Sequence, residues 1–561
     1  MLNMGFLLAN VEIEINAINT IKYILLIIAS VGVLLLGMKL MGDNLESAAG
    51  GKMSGLLDRM GNNRFAGLGI GAAVTAVIQS SAATTVMVIG LLNAGIMTLF
   101  QATTIILGAN IGTTVTGLLA SLSAVKIVPV ALASVACVGA FMMMFCKKHI
   151  LVNIGGIIMG FGLIFCGLTL ASEALAYIKQ LPAVLKFFAS IEHPLLLLLV
   201  GIIFTAAIQS SSASISIVIV LAGSGMMSLQ SAVFVVLGAN VGTCMTVILA
   251  SIGANANAKR AAAIHLFAKL VGVIVFMIVL FIFPNILNLL DVFEKVEFKI
   301  AIFHSVFNIV TALLLIGFTK YIVKLFTWLI KDKEAEKSEA LLKGFVYLDT
   351  RLLTTPTFAM PQVRKEVVNM AKLAKTNLDI SIDAIITSDI SIKPDFAIRE
   401  KNINFLNREL TKFLVEISSA EIGFRDEKII GSLYHVITDI ERIGDYAENI
   451  IEYTEEAIED KSSFSDTANN EIKDMQKLID AQFDLVMQSF ENETLKDFHT
   501  IKINEDEIDS MHDKLQHKHI ERMNEGLCSA SSSSRFLSLI SNLERIADHI
   551  ENIAITLKDY C

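Results

Sequence analysis

Long apolar runs alternate with short polar breaks over the first 330 residues of this 561-residue chain. They lie near 21–42, 66–92, 96–121, 124–146, 151–176, 194–223, 226–251, 261–284 and 300–330. Each reaches the about 20 residues that a helix needs to cross a bilayer. No basic stretch or small-residue cleavage site accompanies the first run, which therefore reads as a retained helix. Beyond the charged stretch Lys331-Asp-Lys-Glu-Ala-Glu-Lys the apolar residues recur at spacings of three and four, the period of amphipathic helices, and no strand-like alternation is found. The pattern predicts an all-α chain: an N-terminal segment 1–20, a polytopic membrane domain 21–330, a charged linker 331–345 and a soluble helical bundle 346–561.

The membrane part contains a duplication. Residues 71–121 align without a gap on 201–251, and roughly half of the paired positions are identical. The first copy carries Gln79-Ser80-Ser81-Ala82-Ala83-Thr84 and Gly108-Ala109-Asn110-Ile111-Gly112-Thr113; the second carries Gln209-Ser210-Ser211-Ser212-Ala213-Ser214 and Gly238-Ala239-Asn240-Val241-Gly242-Thr243. Amides and hydroxyls in hydrocarbon cost several kcal/mol each unless protein or a water-lined cavity satisfies them, so two matched clusters point to one shared binding site. Duplication around interrupted helices is the mark of a secondary transporter.

Loop charges predict how the repeats are oriented. If Lys52, Arg59, Arg64, Lys147, Lys148, Lys259, Arg260, Lys320, Lys324, Lys331 and Lys333 share one side, the other holds only Lys126, Lys179, Lys186, Lys295 and Lys299. The positive-inside rule makes the first side cytoplasmic, and the repeats, about 21–146 and 151–284 with an extra helix at 300–330, then enter from opposite sides. That requires one segment of each repeated pair to be re-entrant or broken, and the one with Gln-Ser-Ser is expected to be it. The plain alternative is an ordinary span whose hydroxyls back-bond to helix carbonyls.

Charge is unevenly divided, with 17 Lys and Arg against 10 Asp and Glu up to residue 330 and 28 against 44 beyond it. The acidic second part argues against nucleic acid and anionic lipid as its partners. Cys137, Cys146, Cys166, Cys244, Cys528 and Cys561 form no CxxC and read as packing residues. No nucleophile constellation, phosphate-cradling loop or zinc motif supports an enzyme.

Neither motif contains a charged residue. Oxygens of this kind coordinate a hard monovalent cation, while an unwound helix turns free N–H groups toward an anion. The paired Gln-Ser-Ser and Gly-Ala-Asn-x-Gly-Thr motifs resemble those of the type II sodium-phosphate cotransporter family over about 20–330. The resemblance implies inorganic phosphate as substrate, Na+ as coupling ion, an inverted-repeat fold and a homodimer. Carried over by position, Gln79, Ser80, Ser81, Thr84, Gln209, Ser210, Ser211, Ser212 and Ser214 line the site, and Asn110, Thr113, Asn240 and Thr243 support the cations. Ala82 stands where the second motif has Ser212, so one hydroxyl is missing. Lys39, Glu173, His265, Lys269 and His304 lie in or near spans; the lysines can snorkel or pair, and His304 can hydrogen-bond within the bundle.

A second duplication, at an offset of 103, aligns Leu433, Val436, Ile440, Ile443, Ala447 and Ile450 with Phe536, Leu539, Leu543, Ile546, Ile550 and Ile553. Beside each apolar stripe runs an acidic ridge, Glu441, Asp445 and Glu448 in one copy and Glu544, Asp548 and Glu551 in the other, either cation-binding or simply solvated. The paired Glu-Arg-Ile-x-Asp motifs resemble the PhoU family over about 346–557. That resemblance implies regulation of phosphate transport, a cytoplasmic signalling partner and, in some members, iron or zinc held on such helices, here by Glu441, Asp445, Glu544 and Asp548. Asn404 replaces the Asp expected beside the first ridge, where the second has Asp509. His517 and His519 are expected in solvent.

The expectation is a sodium-coupled phosphate symporter of the inner membrane with a cytoplasmic regulatory bundle. The alternatives are a phosphate exporter, a transporter of another oxyanion, or a phosphate sensor.

Overall fold

The computed structural model describes residues 17–49, 61–125, 128–181, 184, 193–331, 344–419 and 424–559. Of the charges used for topology, Lys52, Arg59, Lys126, Lys186 and Lys333 lie outside them, as does most of the linker. The described residues are helical, without strands, and form two compact units, 1–332 and 333–561.

In the first unit, helix α1 (Ala17–Ala49) is followed by α2 (Arg64–Ile78), α3 (Ser81–Asn93), α4 (Leu99–Gly112), α5 (Thr114–Ser121) and α6 (Val128–Phe145). The series then recurs as α7 (His149–Ile178), α8 (Pro194–Ile208), α9 (Ser211–Gly223), α10 (Leu229–Gly242), α11 (Cys244–Ala250) and α12 (Ala256–Ile282), before α13 (Val296–Ile316) and α14 (Thr319–Leu329). Among the described residues, six stretches are long and apolar enough to cross a membrane: α1, Leu99–Ala124, α7, Leu229–Ala250, α12 and α13.

The motif glycines set the packing. A Cβ on Gly108 would run into the Leu68 carbonyl, and one on Gly238 into the Leu198 carbonyl, so α4 lies backbone to backbone on α2 and α10 on α8. The two repeats also interlock, because α5 packs on α9 while α11 packs on α3.

Hydrogen bonds identify the ends of this unit. Arg64 donates to the carbonyl of Gly317 at 3.3 Å, Arg260 to that of Ile330 at 2.8 Å, and the Asn255 backbone N–H to the Asn93 side chain at 2.7 Å. The C-terminal ends of α3 and α13 therefore share one end of the domain. Lys179 donates to the Ser224 carbonyl at 2.8 Å, and Glu297 lies beside Gly223, so the C-terminal end of α9 meets the start of α13. The 21 residues of α13 separate these places by about 30 Å. Equivalent helix ends thus lie on opposite faces, and the repeats are inverted. The basic residues Arg64 and Arg260 share a face, as the charge bias predicts.

One segment differs from expectation. The run 300–330 is not a single span: it breaks at Gly317 and Phe318, and α14 buries only Thr319, Ile322 and Phe326. Its exposed Lys320, Tyr321, Lys324 and Trp328 have the makeup of a helix lying in the membrane interface.

The second unit consists of α15 (Pro356–Thr387), α16 (Lys393–Ser418) and α17 (Phe424–Glu459), then α18 (Asp466–Glu491), α19 (Phe498–Asn524) and α20 (Ala530–Thr556). Each trio packs on itself, and α17 joins α20. The twelve stripe residues named above are all 0% exposed, so the 103-residue repeat is the core of this unit.

Candidate functional site

Both Gln-Ser-Ser clusters break a helix in the same way. Gln79 closes α2 with φ 58° and ψ 18°, and Gln209 closes α8 with φ 58° and ψ 21°. Each backbone N–H caps the carbonyl four residues back, Thr75 and Thr205, at 2.8 Å. The left-handed conformation costs a non-glycine residue about 1 kcal/mol or more, and its recurrence at equivalent positions marks a built feature. Ser80 and Ser210 then return to extended backbone and accept from Ala83 N at 3.1 Å and Ala213 N at 3.2 Å, capping α3 and α9. The positive ends of two helices therefore open at the two breaks.

Ser81, Thr84, Ser211, Ser212 and Ser214 are buried at these openings, at 6% exposure or less. Thr84 and Ser214 donate back to the Ser80 and Ser210 carbonyls at 3.0 and 2.9 Å, and Thr113 and Thr243 to the Ala109 and Ala239 carbonyls, both at 3.0 Å. For these four the back-bonding alternative holds, with lone pairs left over. The hydroxyls of Ser81, Ser211 and Ser212 have no hydrogen-bond partner among the described residues.

The two halves are in different states. The Gln79 side chain is buried, bonds to the Ala76 carbonyl, and accepts from Thr116 Oγ1 at 2.6 Å; Gln209 is exposed, and no such bond joins it to Thr246. Thr75 donates to Thr84 at 3.0 Å, whereas the Oγ1 of Thr205, fully buried, has no partner. Asn110 and Asn240 are each 2% exposed, but the Oδ1 of Asn110 has no partner, while that of Asn240 accepts from Lys269 Nζ at 2.8 Å. Thr116, which meets Gln79 here, recurs as Thr246 in the second repeat, and that recurrence is the signal the sequence carries for it.

Among the other polar residues of the spans, Lys39 and Glu173 are exposed. Lys269 does not snorkel: it is 4% exposed and donates also to Asn308 Oδ1 at 2.9 Å. His304 does not hydrogen-bond within the bundle, since neither its ring nitrogens nor those of His265 have a partner. Asn308 lies outside both repeats, and only its spacing of four from His304 on an apolar helix hints at it.

In the second unit the ridges face a buried glutamate each. Glu400 is pushed up to about 7 by burial, then by Glu448 and Asp445. Glu505, which accepts from Gln482, is also pushed up to about 7 by burial, with Glu551, Asp509 and Asp548 adding to the rise against that hydrogen bond. Glu441 and Glu544 are raised too, by burial first and then by Asp445 and Asp548 respectively. Among the described residues no group of three or more His, Cys, Asp or Glu side chains is placed to hold a metal ion. His517 is exposed as expected, but His519 is buried, stacked on Phe536 with ring centroids 4.4 Å apart.

Residues 33–173 and 176–293 match the family described as Na+/Pi-cotransporter, and residues 367–454 and 472–556 match the PhoU domain. The "Putative inorganic phosphate export protein YjbB" of Salmonella typhimurium is 23% identical over 524 residues, 93% of this chain and 94% of its own. YqeW of Bacillus subtilis, an uncharacterized protein, is 30% identical over 302 residues, 53% of this chain and 95% of its own. The human "Sodium-dependent phosphate transport protein 2B" is 31% identical over 137 residues, 22% of this chain and 20% of its own. No solved structure matches the chain.

Proposed function

The chain belongs to the Na+/Pi-cotransporter family and carries PhoU domains at its C-terminal end, and from that premise we propose that it moves inorganic phosphate across a membrane in symport with sodium, by alternating access. The observation that carries this reading is the pair of left-handed glutamines ending equivalent helices in inverted repeats, each followed by a serine-capped helix N-terminus. Two such N-termini with unpartnered serine hydroxyls suit a tetrahedral oxyanion. The amide and hydroxyl oxygens of Asn110, Thr113 and Thr243 suit a hard monovalent cation, and anion and cation bound together offset part of each other's desolvation. One half sealed by Thr116 and the other exposed is the asymmetry that alternating access requires.

Export is the second reading, favoured by the name of the relative matched over 93% of this chain. A symporter runs in the direction of the summed gradients, so both readings use the same site. We assign the PhoU unit a cytoplasmic, regulatory place, responding to a phosphate-signalling partner, and the assembly a homodimer. Equilibrium binding of labelled phosphate to the purified full chain tests the site: binding should be tighter in sodium than in potassium and should be displaced by arsenate. Equal affinity in the two salts would remove the coupling, and no binding in either would remove phosphate.

A further inference from the structure

The motif asparagine of the second repeat already holds a cation, and it is part of the chain. Lys269, near the middle of α12, directs its ammonium to the Oδ1 atoms of Asn240 and Asn308 at 2.8 and 2.9 Å. Both amides are held for this role by their other ends: Asn240 Nδ2 donates to the Val236 carbonyl and Asn308 Nδ2 to the His304 carbonyl, each at 2.9 Å. Among the described residues no carboxylate pairs with Lys269. The titratable groups around it are His265 one turn before it on α12, His304 on α13 and Cys244 at the start of α11. An ammonium removed from water costs several kcal/mol unless its donors are met, and two preoriented carbonyl oxygens meet two of the three. The same two oxygens are hard ligands of the kind that coordinates a sodium ion.

The first repeat lacks this arrangement. Asn110 is as deeply buried as Asn240, yet its Oδ1 has no partner. Counting back the 130-residue offset from Lys269 reaches Gly139, so no lysine matches it. We propose that Lys269 is a tethered cation filling the cation position of the second repeat, leaving the Asn110 side open to a mobile monovalent cation, so that the protein binds one mobile sodium fewer than a symmetric site would. This rests on the sodium-coupled reading above.

Labelled-sodium equilibrium binding to the purified full chain, in saturating phosphate, tests it. Lys269→Gln should bind one sodium more per protein than the unmodified chain, and Lys269→Arg, which keeps the charge, should not. An unchanged count in a monodisperse Lys269→Gln protein, or a gain with arginine as well, overturns the tethered cation while sodium coupling stands. Sodium bound by Lys269→Gln alone upholds the tethered cation and overturns the coupling reading; sodium bound by neither overturns both. If Lys269→Gln does not fold, carboxylates introduced beside the native lysine decide. Asn110→Asp should lower the half-saturating sodium concentration about tenfold, because it adds charge to an open site. Asn240→Asp should lower it far less, because its carboxylate pairs with the ammonium, and equal tightening by the two overturns the inference.

Discussion

Gln79 and Gln209 separate what a backbone does from what a side chain does. The left-handed φ of 58° is a conformation that glycine adopts without strain, so glycine is not excluded from either position. Gln79→Gly loses the bond from Thr116 and the bond to the Ala76 carbonyl, about 1 kcal/mol each, and removes a strain of about 1 kcal/mol, so the variant should insert and melt only slightly below the unmodified protein. Its phosphate transport should nevertheless fall at least about tenfold, and Gln209→Gly should do the same, if both amides touch the substrate. Normal flux in either variant, measured at matched expression, would show that the glutamines only shape the helix breaks. The motif was legible because duplication preserved polar residues in an apolar background. The pairing of Gln79 with Thr116 and of Lys269 with Asn308 was not, because each bond joins residues far apart in the chain whose meeting is decided by packing.

At the scale of elements, periodicity identified helices well and their breaks less well. The expected interruption at Gln-Ser-Ser is present in both repeats, since a serine before an apolar run is a helix start wherever it occurs. The end of α13 was missed because Phe318 and Trp328 keep the run apolar while α14 turns a narrow buried face inward. His519 is expected in solvent from the sequence, yet its ring lies on Phe536, a stripe residue of the adjacent helix. The two buried glutamates give the PhoU unit a pH dependence. Their folded-state values of about 7 lie above the ordinary 4.5, so the folded state holds extra protons between those limits. Stability is therefore greater at the acidic end of this window and is lost as pH rises through about 7. Between about pH 5.5 and about pH 8 the loss is on the order of 2 kcal/mol per group. Thermal unfolding of residues 333–561 should show a lower Tm at the higher pH, and the Glu400→Gln, Glu505→Gln double variant should flatten that slope. An unchanged slope in the double variant would place the titrating groups elsewhere.

For the whole molecule, the division into units 1–332 and 333–561 coincides with the change in composition that the sequence displays. The inversion of the repeats was inferred from loop charges, and the shared end of Arg64 and Arg260 supports it from geometry. The asymmetry between the halves was not legible, because two copies that are half identical give no sign of which one is closed. Both Gln-Ser-Ser clusters lie in the first unit, so a protein ending at Lys331 should keep folded, phosphate-transporting activity and lose only its regulation. A monodisperse but inactive truncation would make the PhoU unit part of the transport machinery.

The most direct measurement of the central claim is phosphate flux in proteoliposomes of the full chain with an imposed ion gradient. An inward sodium gradient should drive labelled phosphate to accumulate above its external concentration, an equal potassium gradient should not, and collapsing the sodium gradient should release the accumulated label. Phosphate flux of the same rate in both gradients, or none in either from protein that binds phosphate, would contradict sodium-coupled symport through this site.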